Sequence, residues 1–181
     1  MPKISDTKIL LIATDGYEDS ELLETRRLLE ERGADVTLAS PKMDEIKGDK
    51  GATTRPDILI DQVDASRFDA LVLPGGVANP DKLRMNEKVV ETVGTFVRSG
   101  RPVGAICHGP WLLAEADVLK TRKVTSWPSI RTDLRNAGAE VVDQEAVIDG
   151  NIVTSRKPDD IPAFVDAVVQ VIEKAHAPAM A

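Results

Sequence analysis

Cysteine occurs once in the 181 residues, at Cys107, inside the stretch AICHGPWLL at 105–113. Ala105-Ile106-Cys107-His108-Gly109 has the form small-x-nucleophile-x-Gly. That spacing suits a sharp strand-to-helix turn that holds a reactive side chain clear of the backbone, here with cysteine where many enzymes carry serine. A helix N-terminus behind the sulfur points amide N–H groups and partial positive charge at it, which lowers a thiol pKa. The same amides could hold an oxyanion, with the Gly75-Gly76 turn as a second donor. A lone cysteine is more commonly a small buried hydrophobe. The elbow spacing and the facing glycine pair favour the reactive thiol.

Several groups could serve the thiol. His108 is adjacent, but sequence neighbours on a helix do not face each other, so no Cys–His pair is assumed. Glu18, in the loop DGYED at 15–19, has two readings. It is a shuttle with a raised pKa, facing the sulfur in a closed crevice, or a solvated acid at a helix start. Trp127 could wall the crevice, Trp111 reads as core, and His176 reads as solvated. The stretch GGVANPD at 75–81 contains neither GxGxxG nor a phosphate-binding loop, so a dinucleotide or triphosphate site has little support.

The elements that must position these residues alternate between strand and helix. KILLIAT (8–14), DVTLAS (35–40), FDALVLP (68–74), RPVGAIC (101–107), KVTS (123–126) and AEVVD (139–143) read as strands. EAVIDGNIVTSR (145–156) reads as a hairpin turned at Asp149-Gly150-Asn151. Helical stretches run from Asp19 to Gly33, with Asp19 or Ser20 as cap and Leu22, Leu23 and Leu29 on the buried stripe. Others cover 86–100, 108–119, 129–138 and 158–176. This order predicts an α/β fold with a mostly parallel sheet and helices on both faces. GDKGATTRPDILIDQV at 48–63 breaks the rhythm and predicts a small hairpin or edge excursion. In such sheets ligands lie beyond the carboxyl ends of the strands. DGYED, GGVANPD and CHG would meet there.

Length favours a single domain over 1–181, and 42% hydrophobic residues are enough for a core. A net charge of −7 argues against nucleic-acid binding, which needs a basic face. One cysteine excludes an internal disulfide, and no Cys/His cluster suggests zinc. The first residues do not read as a signal peptide, and no apolar run reaches the ~20 residues that cross a bilayer. The expectation is a cytoplasmic protein with a reduced thiol and a frayed APAMA ending at 177–181.

DGYED, DALVLPGG, KLRMNEKVV, AICHGPWLL, TSWPSIRTDL, NAGAEVVD and DGNIVTSR, in that order, resemble the PfpI family. That family lies within the superfamily of the Parkinson-disease protein seven and is related to class-I glutamine amidotransferase domains. The resemblance covers about residues 8 to 172. It implies a flavodoxin-like three-layer sandwich with a nucleophile elbow. It implies Cys107 as nucleophile, Glu18 as the glutamate bonded to the sulfur, His108 as the histidine beside it, and Gly76 and the His108 amide as oxyanion donors. Asp81 falls where relatives carry a glutamate that reaches the histidine from a neighbouring subunit, so a dimer or hexamer is implied. Trp127 stands where some relatives have tyrosine.

No cofactor or metal is implied. The activities implied are cofactor-free conversion of 2-oxo aldehydes to hydroxy acids, deglycation of early adducts, intracellular cysteine peptidase activity, and a redox-sensing or holdase role. A small dicarbonyl needs only a nucleophile, a proton shuttle and an oxyanion hole. Peptide hydrolysis also needs a placed acid for the leaving amine and a groove for extended chain. Reactive carbonyls or glycated adducts are therefore the leading substrate class.

Overall fold

The computed structural model describes residues 4–177, so all but the first residue of the frayed ending expected at 177–181 lies outside the described residues. The strands are β1 (Lys8–Ile12), β2 (Asp35–Ser40), β3 (Ile46–Lys47), β4 (Thr53–Thr54), β5 (Ile58–Leu59), β6 (Ala70–Leu73), β7 (Val103–Ile106), β8 (Lys123–Val124), β9 (Glu140–Val141), β10 (Ala146–Asp149) and β11 (Ile152–Ser155). The helices are α1 (Asp19–Glu31), α2 (Ala78–Leu83), α3 (Glu87–Arg98), α4 (Trp111–Glu115), α5 (Arg131–Asn136) and α6 (Ile161–His176).

Seven strands form one sheet in the order β10-β11-β7-β6-β1-β2-β5, parallel except for the β10–β11 hairpin. The apolar runs of β1, β6 and β7 sit at its centre, buried on both faces as parallel strands require. Leu22 and Leu29 of α1 and Phe164, Val168 and Ile172 of α6 pack against one face. Val89, Val93 and Phe96 of α3, Leu112 of α4 and Leu134 of α5 pack against the other. This is the expected three-layer sandwich. Because β1, β6 and β7 run parallel, the loops after them leave at one end of the sheet, where the chemistry-bearing stretches meet.

Local expectations needed correction. Glu18, not Asp19 or Ser20, caps α1, its carboxylate accepting the Glu21 N–H. Leu23 is 36% exposed, and the buried stripe of α1 is Glu21, Leu22, Thr25 and Leu29. The helix expected from His108 shrinks to α4, because residues 107–110 are spent on the turn. β8 and β9 pair with each other, outside the main sheet. The 48–63 excursion resolves into the β3–β4 hairpin followed by edge strand β5 on β2.

Candidate active site

β7 ends at Ile106, and Cys107 follows with φ 62°, a left-handed conformation that costs a non-glycine residue free energy. Neighbours on all sides hold it there. The Cys107 N–H bonds Ser155 O at 3.0 Å, and its carbonyl accepts the Trp127 N–H at 3.0 Å. The turn closes tightly at Gly109, where a Cβ would lie 2.7 Å from Leu73 O and 2.8 Å from Ile106 O. The elbow read from the sequence therefore has its physical reason: only glycine fits at the fifth position.

Cys107 is 6% exposed at the floor of a cleft of about 250 Å³, lined by Glu18, Glu21, Asp49, Lys50, Gly76, Val77, His108, Trp127 and Pro158. Backbone N–H groups of Gly76 and His108 point at its sulfur. Gly76 is itself constrained: φ is +80°, and a Cβ would sit 2.2 Å from Gly16 O and 2.7 Å from Glu18 N. Gly75 does not join it as an oxyanion donor, because its N–H is committed to Glu21 Oε2 at 2.8 Å.

The carboxyl group beside the sulfur belongs to Glu21, one helical turn beyond the residue expected from the sequence. Glu21 is fully buried, and its carboxyl lies beside Cys107 on the floor of the cleft. Burial, then the charge of Glu18, pushes its pKa up to about 8. Oε2 accepts the Gly75 N–H, and Oε1 has no hydrogen-bond partner among the described residues, which leaves it available to carry the acid proton. Glu18 points away from this role. Its Oε2 takes Ser20 Oγ at 2.6 Å and the Glu21 N–H at 2.8 Å, and its Oε1 takes Lys50 Nζ. Burial opposes ionisation of Glu18, but Lys50, Ser20 and the Glu21 amide together hold its carboxyl below the usual range, the reverse of the raised pKa that the shuttle reading of Glu18 required.

The thiol also departs from expectation. Burial, then the neighbouring Glu21 charge, raises its pKa, against the opposing pull of the Gly76 and His108 amides. Cys107 and Glu21 thus form a coupled pair. With one proton left between them, the Gly75 amide favours charge on the carboxylate and the other two amides favour charge on sulfur. Burial depresses the His108 pKa, so the imidazole is neutral near pH 7. Its Nδ1 lies 3.1 Å from Cys107 Sγ and its Nε2 3.3 Å from Ser129 Oγ. The elbow backbone makes possible the pairing that a regular helix forbids. Trp127 stacks on the ring at 6.2 Å and Trp111 meets it edge-on at 5.2 Å.

Trp127 therefore walls the cleft, as expected. Trp111 is half-buried, with its indole N–H on Asp133 at 2.9 Å. His176 is exposed. Asp81 is exposed on α2 and makes no hydrogen bond to His108 within the chain. Sequence reasoning missed three residues. Glu21 carried a signal, an acid on the apolar stripe of α1. Asn79 carried none. It is fully buried, accepts the Thr14 N–H at 2.8 Å and donates to Pro74 O at 3.1 Å and Gly75 O at 3.0 Å, tying together the ends of β1 and β6. Lys50 reaches the cleft only through the β3–β4 turn.

A strand-to-helix elbow carrying cysteine puts the chain among the nucleophile-elbow α/β proteins. Within that class it belongs to the DJ-1/PfpI family, whose model matches residues 7–171. It is 46% identical over 165 residues to the protein named Deglycase TK1284 of Thermococcus kodakarensis, covering 91% of this chain and 99% of that one. It is 44% identical over 158 residues to Putative cysteine protease YraA of Bacillus subtilis, covering 87% of this chain and 93% of that one. The crystal structure of Drosophila melanogaster DJ-1beta superposes with a TM-score of 0.83 at 30% identity, covering 97% of both chains. Among the described residues no helix is long and apolar enough to cross a membrane.

Proposed function

We propose that this chain is a cytoplasmic, cofactor-independent cysteine enzyme that acts on reactive carbonyls, converting 2-oxo aldehydes or their early adducts on amines and thiols to hydroxy acids. The observation that carries this reading is the Cys107–Glu21 pair under the Gly76 and His108 amides, in a cleft of about 250 Å³ suited to a small substrate. The thiolate adds to the aldehyde carbon, and Glu21 donates its proton to the forming alkoxide, giving a hemithioacetal. The Gly76 and His108 amides hold that oxygen while charge develops on it. Glu21, now a carboxylate, takes the proton from the former aldehyde carbon and returns it to the adjacent carbon. The hydroxyl proton passes between the two oxygens. The product is a 2-hydroxy thioester that water opens, restoring the thiol. His108 orients or assists. Relatives named deglycases support the substrate class.

A second reading has its own observation. The 3.1 Å approach of His108 Nδ1 to Sγ is the geometry of a cysteine peptidase pair, and one relative is named a putative cysteine protease. The experiment is methylglyoxal consumption without glutathione, with the hydroxy acid quantified, for freshly reduced wild type, Cys107→Ala and Glu21→Gln. Product from wild type, abolished in Cys107→Ala and cut at least about a hundredfold in Glu21→Gln, supports the carbonyl reading. No product from wild type sinks it, and turnover of a peptide that needs His108 then supports the peptidase.

A further inference from the structure

The turn between β3 and β4 is built rather than loose. The Lys50 N–H bonds Asp19 Oδ1 at 3.2 Å, and the Ala52 N–H bonds Asp19 Oδ2 at 2.9 Å. The Asp49 N–H bonds Tyr17 O at 2.8 Å, and the buried Tyr17 hydroxyl donates to Ala52 O at 3.0 Å. Asp19 and Tyr17 flank Glu18, so the loop after β1 and the hairpin turn are locked to each other. The outcome is that Lys50 lies on the rim of the cleft with its side chain 67% exposed. Among the described lining residues it is the one Lys or Arg.

Its single carboxylate partner, Glu18, does not depend on it. Glu18 keeps the Ser20 hydroxyl and the Glu21 amide as donors whether or not Lys50 is there. An ammonium has three N–H donors. Glu18 takes one, which leaves two for a ligand in the cleft. From this geometry we infer that Lys50 is a specificity-determining residue that selects substrates carrying a carboxylate beyond the carbonyl attacked by Cys107. This inference rests on the carbonyl reading and narrows its substrate class to carboxylate-bearing 2-oxo aldehydes or adducts. The selection is local. Glu18 and Asp49 line the cleft beside Lys50, and the chain carries −7 overall. An anion is therefore not drawn in from a distance and gains only at contact with the ammonium.

The test uses the thiol alone, so it is independent of turnover. Cys107 is alkylated with iodoacetate and with iodoacetamide, which are nearly isosteric and differ in charge. In both, the thiolate sulfur bonds the methylene carbon and iodide leaves. The ratio of the two rates cancels changes in thiol reactivity. Relative to wild type, Lys50→Met is expected to lower the iodoacetate-to-iodoacetamide ratio about fivefold at low ionic strength, and Lys50→Glu further. The difference should collapse in high salt. A ratio that moves less than twofold in Lys50→Met overturns the inference, as does a parallel change in both rates. Failure of wild type to turn over methylglyoxal would overturn the carbonyl reading and leave the ratio interpretable. If turnover holds, KM for a carboxylate-bearing 2-oxo aldehyde should rise in Lys50→Met about fivefold more than KM for methylglyoxal does.

Discussion

At the scale of single residues, the site turns on which of two glutamates, one helical turn apart, faces the sulfur. Glu18 Oε2 and Oε1 are taken by helix-capping donors and Lys50, whereas Glu21 Oε1 is free to meet the thiol. Glu18→Gln keeps an amide oxygen to cap α1, and methylglyoxal turnover should fall only a few fold. Glu21→Gln should lose far more, as measured by kcat for the two variants side by side. Glu21 also ties stability to pH. Its folded pKa of about 8 lies above the unfolded value of 4.5, so the folded state binds the proton more tightly. That contribution is complete below pH 4.5, declines as pH rises, and is lost by about pH 8. It is of order a few kcal/mol. The difference in Tm between Glu21→Gln and wild type should therefore grow in favour of the variant from pH 5 to about 8 and level off above. Thermal melts at a flat difference across that range would show that Glu21 is ionised in the fold.

At the scale of elements, the elbow was legible and the partners were not. Small-x-Cys-x-Gly encodes its own backbone: the left-handed cysteine and the glycine against Leu73 O follow from local sterics. The sheet was legible for the same reason, since buried parallel strands write themselves as unbroken apolar runs. Glu21, Asn79 and Lys50 were hidden because their roles depend on elements distant in sequence. Gly75 lies 54 positions from Glu21, and Thr14 lies 65 from Asn79. The expected thiol pKa failed likewise: the elbow predicts only the favourable amides, while the opposing burial and Glu21 charge come from tertiary packing. Two variants test how these loops are held. In Asn79→Ala the Thr14 N–H and Pro74 O lose their partner, and unfolding in denaturant should show a loss of about 2–4 kcal/mol. Gly76→Ala adds a Cβ against Gly16 O and Glu18 N at a positive φ, and should cost at least about 2 kcal/mol. A neutral Gly76→Ala would mean the loop after β1 is free to yield, which its contacts with β6 and the hairpin argue against.

At the scale of the whole molecule, the open matter is whether one chain completes the site. The resemblance implied that Asp81 acts on His108 from a second copy within a dimer or hexamer. In this chain both ring nitrogens of His108 are already engaged, Nδ1 by the sulfur at 3.1 Å and Nε2 by Ser129 Oγ at 3.3 Å. An incoming carboxylate must displace Ser129, and aspartate is one methylene shorter than glutamate. Val77, which lines the cleft, and Met85 beyond the other end of α2, at 58% and 77% exposure, give a second copy apolar surface, so assembly there does not by itself require Asp81. Ser129 lies within reach to orient the imidazole inside one protomer, and on that ground Asp81 is expected to be dispensable for the chemistry. Asp81→Ala is therefore expected to keep kcat within about threefold of wild type, at protein concentrations on both sides of any dissociation seen by sedimentation. A loss above tenfold, present in the assembled protein and with the fold intact, would reverse this argument. It would show that His108 takes its orientation from a partner chain and that Ser129 only fills the place while the partner is away.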